Sequence, residues 1–355
     1  MLIRRVFVQL KQRKTDFHRF IATSSVPKQS TIETDESEHD AELNEKLLRV
    51  AIVGSPNAGK STLINALMDR KVCAASNKVH TTRNKARAIF TEGDSQIVFI
   101  DTPGLVHFKE VNKYNLEKSF IRDTRSTLLE ADIIGVIHDV SNTYTRESLD
   151  TKVINLLEHK QKKPSFLVLN KIDLLKSKRK LLDITRVVTE GRLKGVLMPN
   201  AKPEENKNVR GWPNFSEIFM ISALTTNGLD DLRAYLVSQA KPRKWMFPDN
   251  VWSDQTPELI ITNTVKAQLL NYLQQEIPYQ CKVQMEFFDI SETGSIKSVV
   301  LVKCPTDRIA KLIAGTSNGR LRQINENVQR DLQSAFQNFV MISIVLQGPN
   351  ENYNM

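Results

Sequence analysis

The chain has 355 residues, 40% of them hydrophobic and 25% charged, which is the ordinary composition of a folded protein long enough for two domains. Its apolar runs stay below the roughly eighteen residues of a membrane-spanning helix, which argues against an integral membrane protein. The cysteines, Cys73, Cys281 and Cys304, are far apart in the sequence and lack CxxC spacing or a neighbouring histidine cluster. This argues against a zinc site or a disulfide framework and indicates a reducing compartment.

The formal charge of +10 is unevenly distributed. Residues 1–30 carry seven lysines and arginines against one acid, Asp16, and run up to small hydroxyl residues. This pattern is typical of a mitochondrial presequence and predicts a location in the matrix, although a basic disordered tail has the same composition. The segment TIETDESEHDAELNEK follows with seven acids and one lysine, too little apolar content to fold. We therefore predict a presequence and an acidic linker over residues 1–47.

A strand, a loop of small residues and a helix follow one another next. LLRVAIVG is predicted to be a buried strand that ends at Gly54, and STLINALM has apolar residues at helical spacing. The loop from Gly54 to Ser61 fits the pattern G-x-x-x-x-G-K-[ST]. Its N–H groups would surround phosphates, Lys60 would reach the β- and γ-phosphates, and the Ser61 hydroxyl would bind Mg²⁺. The pattern predicts a nucleoside triphosphate site.

Residues 76–90, SNKVHTTRNKARAIF, are predicted to be a polar, basic loop. A nucleotide-dependent switch loop needs a threonine hydroxyl for Mg²⁺ and a backbone N–H for the γ-phosphate, and Thr81 and Thr82 could supply them. A solvated basic loop is the alternative. QIVFIDTPG is then a second buried strand, in which Asp101 could hold Mg²⁺ through water and Gly104 would let the chain approach the γ-phosphate.

Two further apolar strands, PSFLVLNKID and EIFMISALT, end in residues suited to a base. Asp173 could accept hydrogen bonds from N1–H and the exocyclic amine of guanine, a donor pair that adenine lacks. The segment Ser222–Leu224 suits backbone contact with the guanine carbonyl. Four motifs in this order, each at a strand end, predict a GTPase on a doubly wound, mostly parallel sheet with its site at the carboxyl ends of the strands.

The motifs GSPNAGKST, NKVHTTRN, DTPGL, NKID and SAL resemble those of the Era-type GTPases, and the resemblance covers about residues 48–350. It implies GTP contacts by Gly54, Asn57, Ala58, Gly59, Lys60, Ser61, Thr62, Thr81, Thr82, Asp101, Gly104, Asn170, Lys171, Asp173, Ser222, Ala223 and Leu224. It also implies Mg²⁺ ligands at Ser61, Thr82 and Asp101, and catalytic roles for Lys60, Thr82 and Asn57.

The last hundred residues have a different pattern. ELIITNTVKAQLLNYLQQ has helical spacing, YQCKVQMEFFDI and SIKSVVLVKC alternate as strands, two helices flank residues 315–319, and FVMISIVLQ is a last strand. This order resembles the KH module that ends Era-type proteins, in which a GxxG loop clamps single-stranded RNA.

The RNA loop departs from the family pattern because Asn318 stands where the second glycine belongs. Asparagine tolerates left-handed backbone geometry and Gly319 is adjacent, so we expect a clamp of altered shape, or else a scaffold that does not bind RNA. The resemblance implies RNA contacts by Lys311, Gly315, Thr316, Ser317, Asn318, Gly319, Arg320 and Arg322. The basic stretch between NKID and SAL is either a solvated helix and loop or an extra phosphate contact.

The resulting prediction is an α/β P-loop GTPase domain over 48–240, a connector over 241–255 and a smaller α+β KH-type domain over 256–350. The resemblance implies a monomer that binds GTP and GDP, hydrolyses GTP, and assists assembly of the mitochondrial small ribosomal subunit by binding its rRNA. It leaves open a peripheral contact with the inner membrane. The alternatives are a GTP-gated protein–protein interaction module and a tRNA-modification GTPase.

Hydrolysis raises a separate question, because many switch GTPases place a glutamine directly after DxxG and this chain has Leu105. An aliphatic side chain cannot orient water, so we expect slow intrinsic hydrolysis or help from another group. The resemblance suggests that Asn57 helps to hold a potassium ion that offsets charge near the β–γ bridge. A loop-bracing role for Asn57 is the alternative.

Overall fold

The computed structural model describes residues 44–74, 86–101, 128–159, 163–177, 179–199, 211–274, 277–349 and 352–353, with only the backbone at Asp101 and at 352–353. The predicted presequence therefore lies outside the described residues. So do the threonine pair of the predicted switch loop, the DTPG segment beyond Asp101, and residues 200–210 of the basic stretch.

A mostly parallel sheet forms the first part of the chain. Its strands are β1 (Lys46–Val53), β2 (Ala86–Glu92), β3 (Ser95–Asp101), β4 (Ile133–Asp139), β5 (Ser165–Asn170), β8 (Ile218–Met220) and β9 (Lys241–Pro242). The order is β2-β3-β1-β4-β5-β8, and β9 pairs with β1. Only β2 and β9 run antiparallel to their partners. The prediction of a doubly wound, mostly parallel sheet is confirmed.

Helices cover both faces of this sheet. They are α1 (Lys60–Met68), α2 (Thr151–His159), α3 (Arg179–Val188) and α4 (Leu229–Ser238). Ile52 of β1 packs with α1 and α4 in one core, whereas Ala51 and Val53 pack with α2 and α3 in another. Because the second half of β1 is buried on both faces, its residues 50–53 form a continuous apolar run and not an alternating pattern. A small hairpin of β6 (Arg192–Leu193) and β7 (Val196–Leu197) follows α3.

The edge strand β2 corrects one prediction. Residues 76–90 were expected to form a loop, but Ala86–Glu92 is a strand that pairs antiparallel with β3. Ala86 and Ala88 are buried, while Arg87 between them is half-buried and ion-paired with Glu130 at 2.9 Å. The apolar run of this strand, AIF, is only three residues long and follows Arg87 and other basic residues, so the whole segment 76–90 looks polar in the sequence.

A second, smaller sheet follows. Its strands are β10 (Lys282–Ile290), β11 (Ile296–Lys303), β12 (Val340–Gln347) and β13 (Asn352–Tyr353), in the order β10-β11-β12-β13. The helices of this part are α5 (Pro257–Tyr272), α6 (Ile277–Gln280), α7 (Asp307–Ala314) and α8 (Gly319–Phe336). The predicted helix–strand–strand–helix–loop–helix–strand order is confirmed, with α6 and β13 as additions. None of the helices in the described ranges is long and apolar enough to cross a membrane.

The two sheets belong to one compact unit, and the chain just after α1 contacts the second part. Lys71 Nζ lies 2.7 Å from Asp331 Oδ1 on α8. The Arg70 guanidinium lies over the ring of Trp252 at 5.0 Å, and Trp252 packs edge-on against Phe336 at 5.7 Å between ring centroids. The segment that leads from α1 toward the predicted switch loop is therefore bound to the helix that follows the predicted RNA loop.

Candidate nucleotide and RNA sites

The phosphate-loop residues lie between the end of β1 and the start of α1. Gly59 adopts φ 101°, and a Cβ built there would fall 2.4 Å from Nδ2 of Asn170. Both the backbone conformation and the lack of space therefore require glycine. Gly59 is also the N-cap of α1, where it has no side chain to compete with a ligand for the first N–H groups of the helix.

Lys60 is buried in the loop, with 9% of its surface exposed. Its ammonium group donates hydrogen bonds to the carbonyl oxygens of Gly54 at 3.1 Å and of Ser55 at 2.9 Å. These contacts keep the cation within the loop, at the positive end of α1, where it would meet the phosphates of a nucleotide. Ser61 and Thr62 are half-buried in the first turn of α1.

Asn57 projects from the same loop and is exposed. Its φ of 60° lies in the left-handed region, which asparagine tolerates better than most residues. Ala58, directly after it, is buried, and its carbonyl oxygen accepts a hydrogen bond from the Asn170 side chain. The strained backbone thus turns Asn57 outward while its neighbour is fixed inside.

Asn170, the last residue of β5, connects the phosphate loop with the predicted base segment. Its Nδ2 donates to the Ala58 carbonyl at 2.9 Å, and its Oδ1 accepts from the Ala223 amide at 3.0 Å. The side chain is 2% exposed, so both bonds are shielded from water and costly to break. The Asn of the NKID motif thereby fixes the spacing between two loops that would contact opposite ends of one nucleotide.

Lys171 lies next to it with φ 68° and pairs with Asp139 at the end of β4, Nζ to Oδ2 2.6 Å. Asp139 also accepts from the amide of Ser141 at 2.8 Å and from its hydroxyl at 2.6 Å. Burial acts to raise the pKa of Asp139, but the hydrogen bonds from Lys171 and Ser141 outweigh it and leave the pKa lowered. The carboxylate therefore stays charged and holds Lys171 in place.

The predicted base contacts lie beside this pair. Asp173 is exposed in a 3₁₀ turn, and Leu224 is 80% exposed, whereas Ser222 and Ala223 are buried. The amide of Ile172 donates to the carbonyl of Ile221 at 3.3 Å, which brings the two segments together. An exposed carboxylate next to backbone amides can bind a flat base that offers two N–H donors.

Part of the predicted site lies outside the described residues, namely Thr81, Thr82, Gly104 and Leu105. Asp101 is described by its backbone alone, as the last residue of β3, opposite Ile52 of β1 and Ala86 of β2. Its strand end therefore belongs to the same edge of the sheet as the phosphate loop.

The predicted RNA loop joins α7 to α8. Gly315 has φ 73°, and a Cβ there would lie 2.8 Å from Cβ of Arg320, so this position also requires glycine. Ser317 and Asn318 both adopt left-handed geometry, with φ 49° and 57°. Asn318 thus takes the conformation that was expected of it, and Gly319 has φ −63° and begins the helix. Thr316 in this loop is exposed.

The basic side chains beside this loop differ in their exposure to solvent. Lys311 and Arg322 are exposed, whereas Arg320 is half-buried and its Nη1 donates to the carbonyl of Leu312 at 2.7 Å. Arg320 therefore caps the end of α7 as well as carrying charge. Arg322 is the cleaner probe of a phosphate contact.

Comparisons with known proteins agree with this geometry. The chain is 37% identical over 327 residues to the mitochondrial GTPase Era of Danio rerio, covering 82% of this chain and 73% of that protein. It is 35% identical over 353 residues to the mitochondrial GTPase Era of Salmo salar, covering 86% and 77%. The chain belongs to the Era family of GTPases.

Residues 49–171 also match the family model described as 50S ribosome-binding GTPase. The fold resembles a crystal structure of Era in complex with MgGDPNP and nucleotides 1506–1542 of 16S ribosomal RNA, with a TM-score of 0.69 and 24% identity. That match covers 85% of this chain and 93% of the Era chain. The arrangement of a P-loop GTPase sheet followed by a KH-type sheet is therefore shared with Era.

Sequence reasoning missed Asp139. It is the last residue of the apolar strand IIGVIHD and Ser141 follows two positions later, so a carboxylate at a strand end with a local hydroxyl donor could have been predicted. The ion pair between Asp139 and Lys171 could not be predicted in the same way, because it depends on β4 and β5 being neighbours in the sheet.

Proposed function

We propose that this Era-family chain is a GTP-binding and GTP-hydrolysing switch that binds the rRNA of the mitochondrial small ribosomal subunit and assists its assembly. The observation that carries the nucleotide part is the pair of buried hydrogen bonds by which Asn170 connects the phosphate loop to the 222–224 segment. The mitochondrial names of the relatives support the compartment, and we assign the protein to the matrix as a monomer.

Lys60 and the first-turn amides of α1 bind the phosphates in this proposal, and Asp173 selects guanine. Ser61, Thr82 and Asp101 would hold Mg²⁺, which neutralises negative charge on the phosphate oxygens. The hydroxyl and carboxylate oxygens of this set are the donors that Mg²⁺ prefers, and Ser61 lies directly after the buried lysine. Asn57 is assigned to a potassium ion. We assign residues 48–240 to the nucleotide part.

We assign the loop from Gly315 to Gly319, with Lys311, Arg320 and Arg322, to the RNA backbone. The loop consists of small residues and has positive φ at Gly315, Ser317 and Asn318, which supports a close approach of its backbone to an RNA phosphate chain. Residues 256–350 form this RNA-binding part in the proposal.

The test is ultraviolet crosslinking in mitochondria followed by sequencing of the RNA attached to the purified protein. We expect small-subunit rRNA with the wild-type chain and strongly reduced recovery with Arg322→Ala. Arg330→Ala is the matched control, because Arg330 is exposed on the same helix two turns further from the loop. Phosphate contacts release counterions, so Arg322→Ala should also flatten the salt dependence of binding to the purified RNA.

The other outcomes of this experiment contradict the proposal. Recovery of tRNA in place of rRNA would indicate a tRNA-modification GTPase. Recovery of no RNA would indicate a GTP-gated protein interaction module. Equal recovery with Arg322→Ala and Arg330→Ala would remove the RNA role of the 315–319 loop.

A further inference from the structure

Two cysteines that are 23 positions apart in the sequence lie beside each other in the second sheet. Lys282 of β10 pairs with Lys303 of β11, and the register is antiparallel. Cys281 directly precedes β10 and Cys304 directly follows β11, so continuing the register by one residue places the two cysteines opposite each other. The Cys304 amide is still held in the sheet by the Gln347 carbonyl at 2.7 Å.

The side chains of this pair point to the same face of the sheet. Val283 and Val302 are the next inward-facing residues, and both cysteines pack in the same hydrophobic core with them. Opposed residues of an antiparallel pair have Cα atoms about 4.5–5.5 Å apart, which falls within the range of about 4.4–6.8 Å that a disulfide bridges. Both thiols are reduced in the structure.

The two thiols also differ in reactivity. A hydrogen bond with Cys304 lowers the pKa of the Cys281 thiol, whereas the same bond and burial raise the pKa of Cys304. Cys281 is half-buried and Cys304 is 7% exposed. The more acidic and more accessible sulfur is therefore the one that an oxidant would meet first.

We propose that Cys281 and Cys304 form a redox-active dithiol that oxidised glutathione converts into an intramolecular disulfide. The Cys281 thiolate attacks one sulfur of the glutathione disulfide, and one glutathione thiolate leaves. Cys304 then loses its proton and attacks the Cys281 sulfur, which expels the second glutathione thiolate. Two protein thiols are oxidised and one glutathione disulfide is reduced to two thiols.

The position of the bond gives it a structural consequence. Residues 305 and 306 alone separate Cys304 from α7, which leads directly to the loop at Gly315. A disulfide would covalently link the start of β10 to the end of β11. It would thereby restrict the movement of the chain that leads into α7 and the loop between α7 and α8. The dithiol chemistry itself does not depend on the proposed RNA function.

The experiment uses the full chain equilibrated with graded ratios of oxidised to reduced glutathione, quenched in acid, then unfolded in denaturant at neutral pH and labelled with a maleimide. We expect labelling to fall from three thiols to one as the buffer becomes oxidising, since the chain has three cysteines. Mass spectrometry should find the two cysteine peptides joined, with the loss of two hydrogens. Cys73→Ser is the matched control, and its remaining two thiols should be lost together.

Cys281→Ser and Cys304→Ser should each abolish the joined peptide. Should Cys304→Ser fail to fold, Cys281→Ser alone is decisive, because Cys281 is only half-buried. Three labelled thiols in every buffer would overturn the proposal, as would stable glutathione adducts without a joined peptide. Neither result would affect the proposed function, which the RNA crosslinking tests separately.

Discussion

Single residues of the proposed nucleotide site also have a structural role. Asn170 holds two loops together through hydrogen bonds on opposite ends of one amide, and Gly59 makes room for it. Any larger residue at position 59 would displace that amide, because its Cβ would be 2.4 Å from Nδ2. Neighbouring Asp173, by contrast, is exposed and has no such packing role. Replacement of Asp173 should therefore change base recognition without unfolding the chain.

The first prediction concerns this base recognition. Asp173→Asn exchanges an acceptor for an amide that presents one donor toward the guanine, so GTP affinity should fall by about a hundredfold, or roughly 3 kcal/mol. Affinity for xanthosine triphosphate should rise, because its ring carries an oxygen where guanine has the amine. Isothermal titration of both nucleotides measures the change. Asp183→Asn, an exposed carboxylate on α3, is the control, and unchanged GTP binding by Asp173→Asn would refute the assignment.

A second prediction at this scale concerns the potassium ion assigned to Asn57. GTP hydrolysis should be faster in potassium than in sodium at matched ionic strength. Asn57→Ala should remove most of the difference and keep nucleotide binding. Because Asn57 has φ 60°, alanine also adds backbone strain, and Asn57→Gly is the matched variant that removes the amide without it. Equal hydrolysis rates of the wild-type chain in the two salts would exclude the cation role.

At the scale of elements, the sequence predicted the buried strands well and the edge strand poorly. The strands β1 and β5 have apolar runs that end in motif residues, so both their position and their function could be read. The strand β2 has a continuous apolar run of only three residues, AIF, and Arg87 and the basic residues before it are equally typical of a basic loop. The proximity of Cys281 and Cys304 could not be predicted from the sequence, because it depends on the register between two strands.

The same limit applies to the contact between α8 and the segment after α1. Asp331 accepts from Lys71 on one oxygen and from Gln268 of α5 on the other, at 2.7 and 2.6 Å. Asp331 is largely buried on the side of α8, whereas Lys71 is half-exposed. Nothing in the local sequence of α1 indicates this partner, which is 260 positions away.

This contact leads to a third prediction, about communication between elements. Lys71→Ala should weaken the effect of GTP on RNA affinity, because it releases the segment before the predicted switch loop from α8. The loss of stability should be small, about 0.2–1 kcal/mol, as for a partly exposed ion pair. Lys46→Ala is the control, since Lys46 makes an equally short ion pair with Asp94 in the first sheet. RNA affinity is measured with GDP and with a non-hydrolysable GTP analogue. The prediction fails if the ratio of the two affinities is the same for both variants.

For the whole molecule, the described residues begin at 44, after the basic segment and most of the acidic segment, whose last three residues belong to the described part. Glu45 already belongs to the folded part, because its side chain accepts from the Trp245 amide at 2.8 Å and its carbonyl from the Arg243 amide at 2.9 Å. Proteolytic processing of the N-terminal segment should therefore stop before Glu45.

The fourth prediction follows from this division. A reporter fused behind residues 1–40 should enter mitochondria and become shorter there, because the segment is cationic and poor in acids up to residue 30. Microscopy and N-terminal sequencing of the recovered reporter measure both effects. A fusion with the first five basic residues changed to Ala is the control. A full-length reporter in the cytosol would show that the segment is no presequence.

The contacts of Glu45 with Arg243 and Trp245 also bear on when the fold can be completed during synthesis. The start of β1 pairs with β9, and Glu45 just before it accepts from the Trp245 amide, which lies 200 positions further along the chain. At about 5–20 residues per second, a ribosome needs roughly 10–40 s to add that length. During this interval the first strand has an uncovered end and an apolar run. The first sheet is thus complete only after β9, its last strand in the sequence, has been synthesised. A newly made chain should depend on chaperones for that interval.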